Sequence, residues 1–62
     1  MKKINEQLLE AVELNEIDEV KKLIEKGADV NIADEDGETA LYKASFSGCS
    51  EIVKMLKEAG AK

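Results

Sequence analysis

The sequence predicts an all-α protein, a stack of paired short helices of the α-solenoid kind with a β-hairpin-like turn between the pairs. Two observations carry this prediction. Apolar residues recur at helical spacing in four short runs, each followed by Gly or Asn, and the chain aligns with itself at an offset of 33 residues. The offset pairs Leu8 with Leu41, Ala11 with Ala44, Val20 with Val53, Lys21 with Lys54, Leu23 with Leu56, Glu25 with Glu58, Gly27 with Gly60 and Ala28 with Ala61. Most of these shared positions are apolar residues or Gly, the types that a helix core and a helix end require.

The first helix is read from the stripe Leu8, Leu9, Ala11 and Val12, with Asn5 as its expected N-cap and Asn15 as its stop. Asn15 stands 33 residues before Gly48. Asn and Gly most readily take positive φ, so both units are expected to turn in the same way after their first helix. Ile17, Val20, Leu23 and Ile24 mark a second helix, stopped by Gly27. Residues 28–38 are too polar and turn-rich to continue it, and Asp36-Gly37 is the strongest hairpin-turn signal in the chain. A third helix starts in Thr39-Ala40-Leu41-Tyr42 and ends at Gly48. Ile52, Val53, Met55 and Leu56 mark a fourth, stopped by Gly60. The organisation expected is one domain over 1–62, with a partial N-terminal repeat at 1–33 and a second repeat at 34–62.

The run Gly37-Glu38-Thr39-Ala40-Leu41-Tyr42-Lys43-Ala44-Ser45, followed by Gly48, Glu51-Ile52-Val53, Leu56 and Gly60-Ala61, resembles an ankyrin repeat. Glu19-Val20-Lys21-Lys22-Leu23-Ile24-Glu25-Lys26-Gly27-Ala28-Asp29-Val30-Asn31 is similar to the second helix and following turn of that family. The resemblance covers nearly the whole chain. It implies an ankyrin-type scaffold that binds other proteins through surface residues and carries no chemistry of its own; fold alone names no partner. Two departures stand out. Thr39-Ala40-Leu41-Tyr42 replaces the family's Thr-Pro-Leu-His, so the Pro that presets the first helical φ is missing and a weaker helix start is expected. Cys49 stands where a second His is usual.

Composition excludes further classes. With no His and one Cys, the chain cannot build a Cys/His zinc site, a Ser-His or Cys-His nucleophile pair, or a disulfide within itself. Cys49 reads as an inert structural thiol. Nine Lys, no Arg, 14 acidic residues and a net charge of -5 argue against nucleic acid or an anionic membrane as partner. Lys2 and Lys3 imitate the basic start of a signal peptide, but Glu6, Glu10 and Glu13 interrupt the apolar run that should follow. No apolar stretch is long enough to span a bilayer, and a lone Cys suits a reducing compartment, so a cytoplasmic location is expected. The glycines at 27, 37, 48 and 60 match no phosphate-cradling spacing. Asp34-Glu35-Asp36-Gly37-Glu38 hints at a calcium loop, but that register puts Ile32 and Lys43 where oxygen ligands are needed. No metal, no cofactor and no enzymatic activity are expected.

Positions that change polarity between the repeats carry direction. Glu19 and Lys22 oppose Ile52 and Met55, while Ile24 opposes Lys57. Ile52 and Met55 should therefore face back to the first repeat and Ile24 forward to the second. That leaves polar outer faces and suggests a chain capped at both ends. Two repeats share only one interface, so marginal stability is expected, and Leu14, Tyr42 and Phe46 are candidates for packing against a second copy.

Phe46 and Tyr42 are the only aromatics and stand four residues apart on the third helix, where they can share a face. By resemblance, Phe46 falls on a variable position facing the concave surface, together with Ser47 and the hairpin residues Glu35, Asp36 and Glu38. Glu13 and Leu14 are the matching positions one repeat earlier. Either Phe46 is an interface anchor, or it folds onto Leu14 and closes the small core. An exposed Leu14 beside an exposed Phe46 would form an apolar patch ringed by acids, suited to a basic protein partner.

Overall fold

The protein is described by a computed structural model over residues 3–61; Lys2, one of the two lysines at the start of the chain, lies outside them. Four helices follow in order: α1 (Ile4–Glu13), α2 (Ile17–Glu25), α3 (Ala40–Ser47) and α4 (Ser50–Glu58). Each consecutive pair packs as an antiparallel unit, and the second unit stacks on the first, with α3 against α1 and α4 against α2. The expected all-α ankyrin-type repeat stack is what the chain forms.

The core runs through both layers. Leu8, Val12, Val20, Leu23, Ile52 and Leu56 are its largest fully buried side chains. Ala11, Ala40 and Ala44 are also buried, and their small side chains let α1 and α3 approach closely. Ile24 and Met55 are half-buried against this core and Ile52 is fully inside it, whereas Glu19, Lys22 and Lys57 are exposed. The directional reading of the polarity changes therefore agrees with the packing.

All four helices end in the same way. The N–H of Glu16 donates to the carbonyl of Ala11 at 2.9 Å, and 33 residues later the N–H of Cys49 donates to the carbonyl of Ala44 at 3.0 Å. Ala28 donates to Leu23 and Ala61 to Leu56 in the same six-to-one pattern, at 3.0 and 2.9 Å. The pattern needs a left-handed residue just before the donor. Asn15 at φ 58 and Gly48 at φ 75 supply it in equivalent places, as their residue types suggest.

Helix starts depart from expectation. α1 begins at Ile4, and its N-cap, Lys3, makes no side-chain cap bond. Asn5 lies inside the helix, where its Oδ1 accepts the N–H of Asp29 at 2.8 Å. It ties the turn after α2 to the start of α1, giving a partner to a backbone donor that no helix supplies. Among the four helix starts only Thr39 caps with its side chain, accepting the N–H of Tyr42 at 3.1 Å. α3 thus keeps a cap without the proline.

The connection between the units is a single antiparallel bridge, Ala33 to Thr39, closed by a tight turn. Asp34 shapes it. Its backbone N–H donates to Glu38 at 3.0 Å, and its Oδ1 accepts the N–H groups of Asp36 at 2.9 Å and Glu38 at 3.0 Å. Gly37 takes φ 81 at the bend, the role expected of Asp36-Gly37.

Candidate protein-binding surface

Ala40 and Ala44 set the inward side of α3, and Phe46, two residues further, points about 200° away from Ala44 around the helix axis. Phe46 is 83% exposed and Tyr42 53% exposed. Their rings stack at a centroid distance of 6.4 Å with 16° between planes. Phe46 therefore does not fold onto Leu14 to close the core. That core is filled by aliphatic side chains of the four helices and of the turn after α2, and Phe46 leans on Tyr42 instead.

A shallow groove of about 220 Å³ runs beside this aromatic shelf. Glu13, Glu38, Tyr42, Phe46 and Ser47 line it, so five of the residues singled out from the sequence are brought together. Leu14 is 62% exposed but does not line the groove. Leu14, the C-cap of α1, is thus an exposed apolar residue that directly follows the groove-lining Glu13. Glu35 and Asp36 stand exposed at the hairpin tip.

One residue at the centre of this surface was not apparent in the sequence. The Nζ of Lys43 lies 2.7 Å from Glu13 Oε1, 2.8 Å from Asp34 Oδ2 and 3.5 Å from Glu38 Oε1, and its side chain is only 10% exposed. These carboxylates come from α1, the hairpin and the residue before the α3 cap, so one ammonium joins both repeats and their connection. The hydrogen bond to Asp34, and then that to Glu13, raises the Lys43 pKa above the ordinary lysine value. Asp34 is held below the usual carboxylate range, first by its hydrogen bond to Lys43 and then by the backbone N–H of Glu38. The acidic ring expected around the aromatics is therefore partly neutralised, while Glu35 and Asp36 make no ion pair with a described residue.

A signal for Lys43 existed. Adding the repeat offset to Glu13 reaches Phe46, one helical turn beyond Lys43, so stacking the repeats brings Lys43 within reach of Glu13. Among the described residues, no group of three His, Cys, Asp or Glu side chains is placed to hold a metal ion. No described helix is long and apolar enough to cross a membrane.

Comparison with known proteins agrees with this architecture. A family profile described as ankyrin repeats (many copies) matches residues 8–56. Two ankyrin repeat proteins of Rickettsia felis are each 39% identical over 51 residues, which are 82% of this chain and 81% and 77% of the relatives. The mitochondrial disaggregase of Homo sapiens is 43% identical over 54 residues, 87% of this chain but 8% of that protein.

Proposed function

The chain belongs to the ankyrin repeat family, and on that premise we propose that it is a non-catalytic module that binds another protein by rigid presentation of a preformed surface. Ankyrin repeats generally mediate protein–protein interaction. Here the presenting surface is the aromatic shelf of Tyr42 and Phe46 with Ser47, flanked by Glu13, Leu14 and Glu38 and by Glu35 and Asp36 on the hairpin. The two units, 1–33 and 34–62, act as one domain, and helices packed on each other leave little to order on binding. The surplus of acidic residues favours a basic partner, met in the cytoplasm.

A single observation supports this reading most: Phe46 is 83% exposed in a chain whose other large apolar side chains are mostly inside. A photo-crosslinker at position 46, compared with one at Glu19 on the outer face of α2, should capture the partner selectively. Phe46→Ala should then weaken that complex by about thirtyfold while leaving helicity intact. Equal capture from both positions, or an unchanged complex, would remove Phe46 from the surface.

The same exposed aromatics favour a second reading, assembly of this chain with its own copies. Light scattering across a hundredfold dilution separates the two. A constant mass near 6.8 kDa leaves the shelf to a foreign partner, and a larger species that dissociates on dilution assigns it to a second copy.

A further inference from the structure

On the other side of Lys43 from the aromatic shelf runs a second groove, of about 480 Å³, between α1 and the hairpin. Its floor is apolar. Leu9 is buried there and Ile32 is half-buried, with Ala33 beside them. Its rim is acidic, with Glu6 and Glu13 from α1 and Asp34 and Glu35 from the hairpin. The inner end is already satisfied, because Lys43 holds Glu13 and Asp34 at 2.7 and 2.8 Å. Glu6 and Glu35 make no ion pair with any described residue, so among these rim carboxylates they are the ones without a paired cation there.

An apolar floor under an acidic rim fits a cation on an aliphatic stem. The methylenes lie on Leu9 and Ile32 and the charge stays at the rim, as long basic side chains do on other apolar surfaces. We propose that this groove receives a Lys or Arg side chain from a basic segment of the partner protein. The inference rests on the binding-module reading and adds a contact separate from Tyr42 and Phe46. The net charge of -5 draws a basic segment toward the molecule at long range. Lys43 then decides where the cation settles. It repels an incoming ammonium from the carboxylates it already holds and leaves Glu6 and Glu35 as the rim carboxylates open to a cation.

The test is a titration of the isotope-labelled chain, followed by backbone amide resonances, with a short peptide of alternating Lys and Leu and with its Glu and Leu counterpart. The Lys peptide should shift the amides of Glu6, Leu9, Ile32 and Glu35, and the Glu peptide should not. The double variant Glu6→Gln with Glu35→Gln should bind the Lys peptide about tenfold more weakly and with less salt dependence, at unchanged helicity. Shifts confined to Tyr42 and Phe46 would overturn the groove while leaving the binding-module reading in place. Binding that the double variant does not weaken, or no shift with either peptide, would also overturn it, whereas the binding-module reading stands or falls with Phe46→Ala.

Discussion

α1 and α3 hold equivalent places in the two repeats, yet α1 buries Leu8, Leu9, Ala11 and Val12 while α3 buries only Ala40 and Ala44. Their ends close with matching hydrogen bonds, from Glu16 to Ala11 and from Cys49 to Ala44. Backbone geometry is thus shared and side-chain labour is divided. α1 supplies large core side chains, and α3 turns Ala40 and Ala44 fully inward, lays Leu41 against the core and keeps its aromatics facing out. A helix with so little apolar burial needs other anchors, and α3 has them in the Thr39 cap, the hairpin bridge and the Lys43 ion pairs.

The sharpest way to break this contrast is to shorten one side chain on each helix. Leu8→Ala should cost about 2–5 kcal/mol and unfold much of the population, because Leu8 is fully exluded from solvent and a cavity would remain. Phe46→Ala should stay within about 0.5 kcal/mol, since an exposed ring contributes little to folding. Urea unfolding followed by circular dichroism measures both, and similar losses would mean that α3 is a core helix after all.

A smaller effect probes what the two repeats share. At Gly48 an added Cβ would meet no atom within 4 Å, so Gly48→Ala tests backbone conformation rather than crowding. It should cost about 1–2 kcal/mol at a positive φ. Asn15→Gly, at the matching turn, should gain about 0.5 kcal/mol or less. Thermal melting checks the pair; opposite signs would support the equivalence of the turns, and a neutral Gly48→Ala would end it.

The least effect concerns charge. Asp34 has a folded pKa below its ordinary 3.8, so its contribution is complete above that value and is lost as pH falls through the lower folded one. Lys43 shifts the opposite way, and its contribution is complete below 10.5 and lost as pH rises through the higher folded value. Urea midpoints taken at about pH 7 and about pH 3 should fall less in Lys43→Met than in the parent chain. An identical fall in both would show that the Lys43 cluster carries none of the acid sensitivity.

Much of this was legible in the sequence because helix ends have strict needs. A six-to-one bond demands a left-handed residue, and few types besides Gly and Asn accept that role, so Asn15, Gly27, Gly48 and Gly60 mark the ends directly. Helix starts are less strict. Asn5 suits an N-cap and equally suits a tertiary acceptor, and only the folded chain brings Asp29 to it. Lys43 stayed hidden for a related reason: its partners lie on three segments, and local spacing shows only neighbours within one helix. Phe46 admitted two readings because exposure depends on which residues have already filled the interior.

Asp34 spends one oxygen on the shape of the turn and the other on Lys43. Asn in its place would keep the turn and surrender the charge; Glu would keep the charge and overreach the turn. Either change at position 34 therefore gives up one of the two tasks. Two residues nine apart in the chain are thus coupled, and a substitution at either one removes an interaction that the other makes.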